Sequence, residues 1–321
     1  MRRFALLSSL LLLVACQEGP QPEEESLESQ AASVEEQLAS GDGGPDQAEA
    51  SDFTGRQDGV RPAWTNYQDY AQVDEAGYAY YMYEDPDISS EVFPLNDSSD
   101  RVLLFTFDDA PAEPDSYAIE MAEKMKAKDV NAIFLVNGMY LQSPRGQEVT
   151  KKVHDLGFEI GNHTQTHANL RELSYEEQYA EIQETNRLIE EITGAPVRWF
   201  RPPFGLFNMD TINICNELGL QLMTWNFGYD WMDEYLDGDQ LAAISLDNEY
   251  LRPGANILMH DRPWTSEALE RMIDGYREMG FHIVDPYLIE LRPNATTPLG
   301  EGETWEEEMA EGQEEVEEFV E

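Results

Sequence analysis

Val102-Leu103-Leu104-Phe105-Thr106-Phe107-Asp108-Asp109 is the stretch on which the fold turns. A nearly unbroken apolar run ends in two adjacent carboxylates. The run lacks polar alternation, so it reads as a strand buried on both faces, the kind found in parallel sheets clad by helices. The next residues fit that reading. Ser116 to Lys128 carries Ile119, Ala122 and Met125-Lys126 at helical spacing, and Ala132-Ile133-Phe134-Leu135-Val136 is a second buried strand.

Downstream the alternation repeats. Asp155-Leu156-Gly157-Phe158-Glu159-Ile160, Glu217-Leu218-Gly219-Leu220-Gln221-Leu222 and Glu278-Met279-Gly280-Phe281-His282-Ile283 share one grammar. In each, glycine sits where a helix stops in a left-handed residue, and a strand comes at once. The longest helix is expected over 175–193, opened by a capping box of Ser174 and Glu177 and closed by Gly194 and Pro196. Further strands are expected at Val197–Arg201, Gln221–Thr224, Ile257–Met259 and His282–Val284, and further helices at Asn208–Leu218, Asp239–Tyr250 and Ser266–Met279. Roughly seven β–α units with short connections predict an α/β fold of parallel strands, a barrel or an open doubly wound sheet. Charged residues placed after many different strands favour the barrel, where the strands' carboxyl ends converge. An open sheet would gather ligands at one crevice and leave several of these residues remote.

Five stretches put ionisable groups at such ends: Thr106-Phe107-Asp108-Asp109, His163-Thr164-Gln165-Thr166-His167, Arg201-Pro202-Pro203-Phe204-Gly205, Asp230-Trp231 and Leu258-Met259-His260-Asp261. Three of the chain's five histidines lie in them. His163 and His167 are four apart, so a helical turn or a tight loop of similar pitch puts both rings on one side. With a carboxylate from Asp108-Asp109, two neutral imidazoles bind a divalent cation and leave positions open for water and substrate. One aspartate can then be a ligand while its neighbour takes a proton from water. His260 is the candidate proton donor, since its ordinary pKa is near working pH. Asp230 is the expected support for its tautomer, with Asp261 the rival. Arg201 does not deprotonate, so its expected role is to pair with Asp108 and keep that carboxylate ionised and aimed. Iron–oxygen chemistry uses a similar ligand set, but would leave Asp108 and His260 idle. Trp199, Trp225 and Trp264 are candidates for stacking on sugar rings or for the core.

In this order, across residues 101–285, the five stretches resemble the five motifs of the polysaccharide deacetylase family, the NodB-homology domain of carbohydrate esterase family 4. The carriers are Thr-Phe-Asp-Asp, His163-Thr164 with His167 and the preceding Asn162, Arg-Pro-Pro-Phe-Gly, Asp-Trp and Leu-x-His. The resemblance implies a distorted (β/α)7 barrel over 101–292 and metal-dependent removal of acetyl groups from amino-sugar polysaccharides, peptidoglycan or chitin-like glycans above all. O-acetyl groups of xylan are the less frequent substrate. It implies that Asp109, His163 and His167 hold the metal, zinc by default, with cobalt, nickel or manganese as alternatives. Asp108 would be the base, Arg201 its orienting partner, and the backbone N–H of Phe204 an oxyanion donor. His260 would be the acid supported by Asp230, and Trp231 would shape the acetyl pocket. Two departures stand out: Ala110 replaces the usual glycine before Pro111, and Trp225-Asn226-Phe227-Gly228-Tyr229 lacks the usual aspartate upstream of Asp230-Trp231. A catalytically silent glycan-binding lipoprotein on the same fold is the alternative from another functional class.

The two ends add a setting. Met1-Arg2-Arg3 and the apolar 4–15 have the layout of an export signal too short to span a bilayer. Leu13-Val14-Ala15-Cys16 resembles a lipoprotein signal box, which implies removal of 1–15 and a diacylglyceryl thioether on Cys16. The expected location is extracytoplasmic, anchored to the cell membrane by lipid. Cys215 is then left without a disulfide partner. The formal charge is −45, and residues 17–52 and 293–321 each carry eleven acids and no Lys or Arg. Both read as disordered, 16–52 as a tether and 293–321 as a tail. Such acidity argues against nucleic acid as a partner and leaves the acetylated glycan and the membrane anchor. Residues 53–100, rich in Trp and Tyr, are expected to pack on the barrel; a glycan-binding surface is the alternative. A monomer is expected.

Overall fold

The computed structural model describes residues 66–82, 90–112, 114–292 and 294. The expected signal, Cys16, the acidic tether, Trp64 and, apart from Asn294, the acidic tail lie outside the described residues. Among the described residues no helix is long and apolar enough to cross a membrane.

Two short strands, β1 (Tyr80–Met82) and β2 (Val92–Pro94), precede the repeating part. Seven parallel strands come next: β3 (Val102–Ala110), β4 (Ile133–Val136), β5 (Glu159–Asn162), β6 (Trp199–Phe200), β7 (Gln221–Leu222), β8 (Asn256–His260) and β9 (His282–Ile283). Their order is β7-β6-β5-β4-β3-β8, with β9 also beside β3. The irregular segment after β7 ties the two edges together: Asn226 N donates to Asn256 O and Leu258 N to Phe227 O, both at 2.9 Å. The result is a distorted (β/α)7 barrel of parallel strands. A last strand, β10 (Ile289–Glu290), returns to pair with β1.

Side chains alternate across a strand, and here both faces are covered. Leu103, Phe105, Phe107, Phe134 and Phe200 join Met121, Met125, Ile182 and Met272 of the surrounding helices in one core cluster. Val102, Leu104, Ile133, Leu135 and Trp199 face the other way, into a second cluster. Tyr70, Tyr80, Met82 and Val92, from the segment before β3, fill that inner cluster together with Val284, Leu288 and Ile289. Double-sided burial is why β3 reads as an unbroken apolar run. The aromatic segment supplies core to one end of the barrel: Tyr70, Tyr78 and Tyr80 are buried, which leaves those rings no surface for a sugar.

The helices stop where glycine permits it, with Gly157, Gly219 and Gly280 all at positive φ. Tyr175–Thr193 has the complete capping box of Ser174 and Glu177 and ends at left-handed Gly194. Some boundaries move. Pro263–Glu278 begins three residues before the expected Ser266, because proline is well suited to a first helical position. Gly238–Leu246 replaces the longer helix expected to Tyr250, its start fixed by Asp237 accepting from the N–H groups of Asp239 and Gln240.

Candidate active site

Asp108 and Asp109 occupy the last part of β3. Neighbouring strand residues point to opposite faces, so both carboxylates could not ordinarily reach one site. A bulge solves this. Phe107 pairs with Phe134 and Ala110 with Val136, so three steps on β3 match two on β4, and Asp109 sits at φ 60°. A β-bulge re-aims a side chain in this way. Ala110 is not among the positive-φ residues, so the Cβ that replaces the usual glycine there meets no backbone penalty.

His163 and His167 come after β5 in a tight loop, not a helical turn. Thr164 and His167 both take left-handed φ, 66° and 58°, conformations that persist only where the surroundings enforce them. Here Asn162 Oδ1 accepts from Thr164 N at 2.8 Å, and Glu181 accepts from Thr166 N and Oγ1 at 2.8 and 2.7 Å. Helix Tyr175–Thr193, which carries Glu181, thereby buttresses the loop.

The ligand-capable atoms of Asp109, His163 and His167 lie within 4.8 Å of one another. His167 Nε2 is 3.6 Å and His163 Nε2 4.0 Å from Asp109 Oδ1. His163 Nδ1 donates to the Arg201 carbonyl at 2.8 Å. A carbonyl only accepts, so Nδ1 carries a proton and Nε2 is the ring atom left facing the carboxylates. Burial and the neighbouring His163 push the His167 pKa down, keeping that ring neutral. Burial works to raise the Asp109 pKa, but His163, His260 and the Asn137 hydrogen bond together hold it below its ordinary value. Two imidazoles and a carboxylate are a donor set suited to a divalent transition cation. The residues fit such an ion.

Arg201 is fully buried. Its Nη1 donates to Asp108 Oδ1 at 2.7 Å and Thr106 Oγ1 at 2.9 Å, and its Nη2 to the Thr224 carbonyl at 2.8 Å and Asn256 Oδ1 at 3.3 Å. Both arms of the guanidinium are thus held, and Asp108 is aimed by a rigid partner. Asp108 Oδ2, on the other side, stands 3.6 Å from His163 Nε2.

His260 lies beside Asp108 in the parallel β3–β8 register. Its Nδ1 is 2.7 Å from Asp230 Oδ1, and its backbone N–H donates to Asp230 Oδ2 at 2.6 Å. Thr265 Oγ1 also donates to Oδ2, and Trp264 Nε1 to the Asp230 carbonyl. Burial alone would lower the His260 pKa; the Asp230 carboxylate, by charge and hydrogen bond, with Asp108 and Asp109 behind it, raises it to about 9. Asp261 does something else. Its carboxylate accepts from Ala112 N, Ser116 Oγ and Tyr117 N, fastening the loop after β3.

Phe204 takes φ 61° in the turn Pro203–Gly205, its ring half-exposed and edge-on to His167. The backbone N–H of Phe204 makes no hydrogen bond to another described residue. Trp231 is also half-exposed and sets its ring across His260, centroids 5.4 Å apart. Of the three tryptophans weighed for sugar stacking, Trp199 is fully buried, Trp264 serves Asp230, and Trp225 underlies Gly205, where an added Cβ would meet its ring at 3.1 Å. All residues singled out around the five stretches converge on this one end. Thr106 enters the five stretches without a role of its own, and Asn137, Thr224, Asn256 and Thr265 do not enter them at all. Thr106 and Asn256 carry a faint signal, polar residues inside otherwise apolar strands; the others carry none.

The sequence profile described as Polysaccharide deacetylase matches residues 96–223. A chitooligosaccharide deacetylase of Azorhizobium caulinodans is 30% identical over 161 residues, which are 50% of this chain and 73% of that protein. A peptidoglycan-N-acetylglucosamine deacetylase of Bacillus cereus is 25% identical over 188 residues, 57% of this chain and 66% of that protein. Among solved structures, a carbohydrate esterase family 4 pseudoenzyme from Bacillus anthracis matches with a TM-score of 0.53 and 30% identity, covering 58% of this chain and 64% of the other. The chain spans from 25% to 88% of the length of the curated relatives it matches.

Proposed function

The chain belongs to the polysaccharide deacetylase family, and from that premise we propose that it is an active, metal-dependent deacetylase removing N-acetyl groups from amino-sugar polysaccharides of the cell envelope. One observation carries the reading. Asp108 and His260 stand side by side on β3 and β8, flanking the Asp109, His163 and His167 cluster, each held by its own buried partner. One similar solved structure is a pseudoenzyme, whereas Asp108, Asp109, His163, His167 and His260 are all present here.

Asp109, His163 and His167 are the residues that would hold the cation, zinc by default. When bound, it supplies Lewis-acid polarisation of the acetyl carbonyl and acidifies water. Asp108, aimed by Arg201, accepts the proton of the attacking water. The N–H of Phe204, engaged by no other described residue, donates to the developing oxyanion. His260 protonates the departing nitrogen from Nε2, its Nδ1 being committed to Asp230, and acetate leaves with the amine freed. Trp231 forms a wall beside His260 suited to the small acetyl group.

The same reading puts the enzyme outside the cytoplasm, tethered through an acylated Cys16 so that envelope glycan lies within reach. Cys16→Ser should then move the protein from the membrane fraction to the soluble one. Acetate release from a panel of peptidoglycan, chitin oligomers and acetylated xylan, after chelation and return of single metals, tests the activity. Release from xylan alone would favour the O-acetyl esterase. No release from any glycan by cation-loaded protein would leave the silent glycan-binding lipoprotein.

A further inference from the structure

We propose that Asn137-Gly138-Met139, the segment directly after β4, is a brace that positions all three cation-directed side chains, with Asn137 the positioning residue for Asp109. The inference rests on the reading of Asp109, His163 and His167 as a cation site. Asn137 Nδ2 donates to Asp109 Oδ1 at 2.9 Å. That oxygen is also the one facing His163 and His167. A carboxylate oxygen has two lone-pair directions. With one taken by Asn137, the other is fixed toward the histidines, and the hydrogen bond persists when a cation arrives.

The backbone of the segment reaches both loops. Asn137 N donates to the Ala110 carbonyl, next to Asp109. Gly138 N and Met139 N donate to the carbonyls of Thr164 and Gln165, between the two histidines. Both loops hold residues at left-handed φ, namely Asp109, Thr164 and His167. Such conformations need outside support, and the segment cross-links them. A Cβ on Gly138 would press on the side-chain amide of Gln165 and the hydroxyl of Thr185, so a larger residue there must displace the Gln165 side chain. Asn137 itself is buried, its Nδ2 spent on Asp109 and its Oδ1 without a partner among the described residues.

Asn137→Leu keeps the size and removes the donor; Gly138→Ala pushes on the histidine loop from a separate point. Titration of the full chain with zinc by calorimetry, and with cobalt by visible absorption, reads affinity and ligand geometry independently of turnover. Each variant should bind about 10–100-fold more weakly than wild type, with altered cobalt bands. Should Asn137→Leu be insoluble, Asn137→Ser retracts the donor while retaining a polar group and takes its place. Wild-type affinity in the folded variants overturns the brace. So does a lower melting temperature of the metal-free variant with affinity unchanged, which marks a merely structural residue. Wild-type protein that binds no divalent cation would instead overturn the site reading itself.

Discussion

Arg198 and Arg201 stand three residues apart on either side of β6, and both are buried against a carboxylate. Arg201 pairs with Asp108 at the strands' carboxyl ends. Arg198 pairs with Glu159 at the other end, where its Nη2 also donates to the Ile289 carbonyl and its guanidinium lies over Trp199 and Tyr287. The chemistry is the same and the setting is not. The upper pair borders two histidines and a cluster fit for a cation, whereas the lower one fastens β10 beneath the barrel. A buried ion pair is therefore no mark of function; what it faces decides.

The largest expected effect lies at the upper pair. Asp108→Asn should reduce acetate release by about 10²–10⁴-fold while calorimetry still detects cation binding. Normal turnover in that variant would remove Asp108 from the mechanism. At the lower pair the loss should be of stability alone. Arg198→Met strands Glu159 as an unpaired buried charge and should cost about 3–5 kcal/mol in urea unfolding, with turnover per folded molecule near wild type. Adding Glu159→Leu should recover most of that stability, as apolar replacements of buried pairs often do. Arg201→Met with Asp108→Leu should regain stability without regaining activity, and equal behaviour at the two ends would break the contrast.

Two neighbouring carboxylates sharpen the same lesson. Asp230 raises the His260 pKa, so the fold favours the imidazolium. That contribution to stability is complete below the unfolded value, near 6.5, and is lost as pH rises through about 9. Asp230→Asn should abolish this alkaline loss in metal-free protein and move the alkaline limb of turnover toward neutrality, both readable from pH series. The smallest effect belongs to Asp261→Asn. It weakens the fastening of Ala112, Ser116 and Tyr117 and should cost about 1–3 kcal/mol, leaving the alkaline limb where it was.

Much of this was legible beforehand because local rules governed it. Helix stops at Gly157, Gly219 and Gly280, the capping box at Ser174, and the double-sided burial of β3 each derive from residue type and period. Asp230 and Asp261 show where legibility ended. Both lie near His260 in sequence or space, and only the packing of Thr265 and Trp264 on one, and of Ala112 to Tyr117 on the other, separates their roles. The helix Pro144–Asp155 announced its end at Gly157 but not its beginning, since Pro144 and the Ser143 cap could equally have opened a turn. Asn137 was invisible for a similar reason: an asparagine after a strand resembles any turn residue until its partner is known.

Period, glycine placement and the spelling of five short stretches determined the parallel α/β architecture and the chemical types at the strand ends, because those depend on contacts within a turn or two. Tertiary structure alone decided which side chains share an oxygen, which arginine serves the site and which serves the floor, and how two adjacent aspartates come to face one way. Those outcomes depend on the β3 bulge and on pairings between residues tens to more than a hundred positions apart, and no local pattern encodes them.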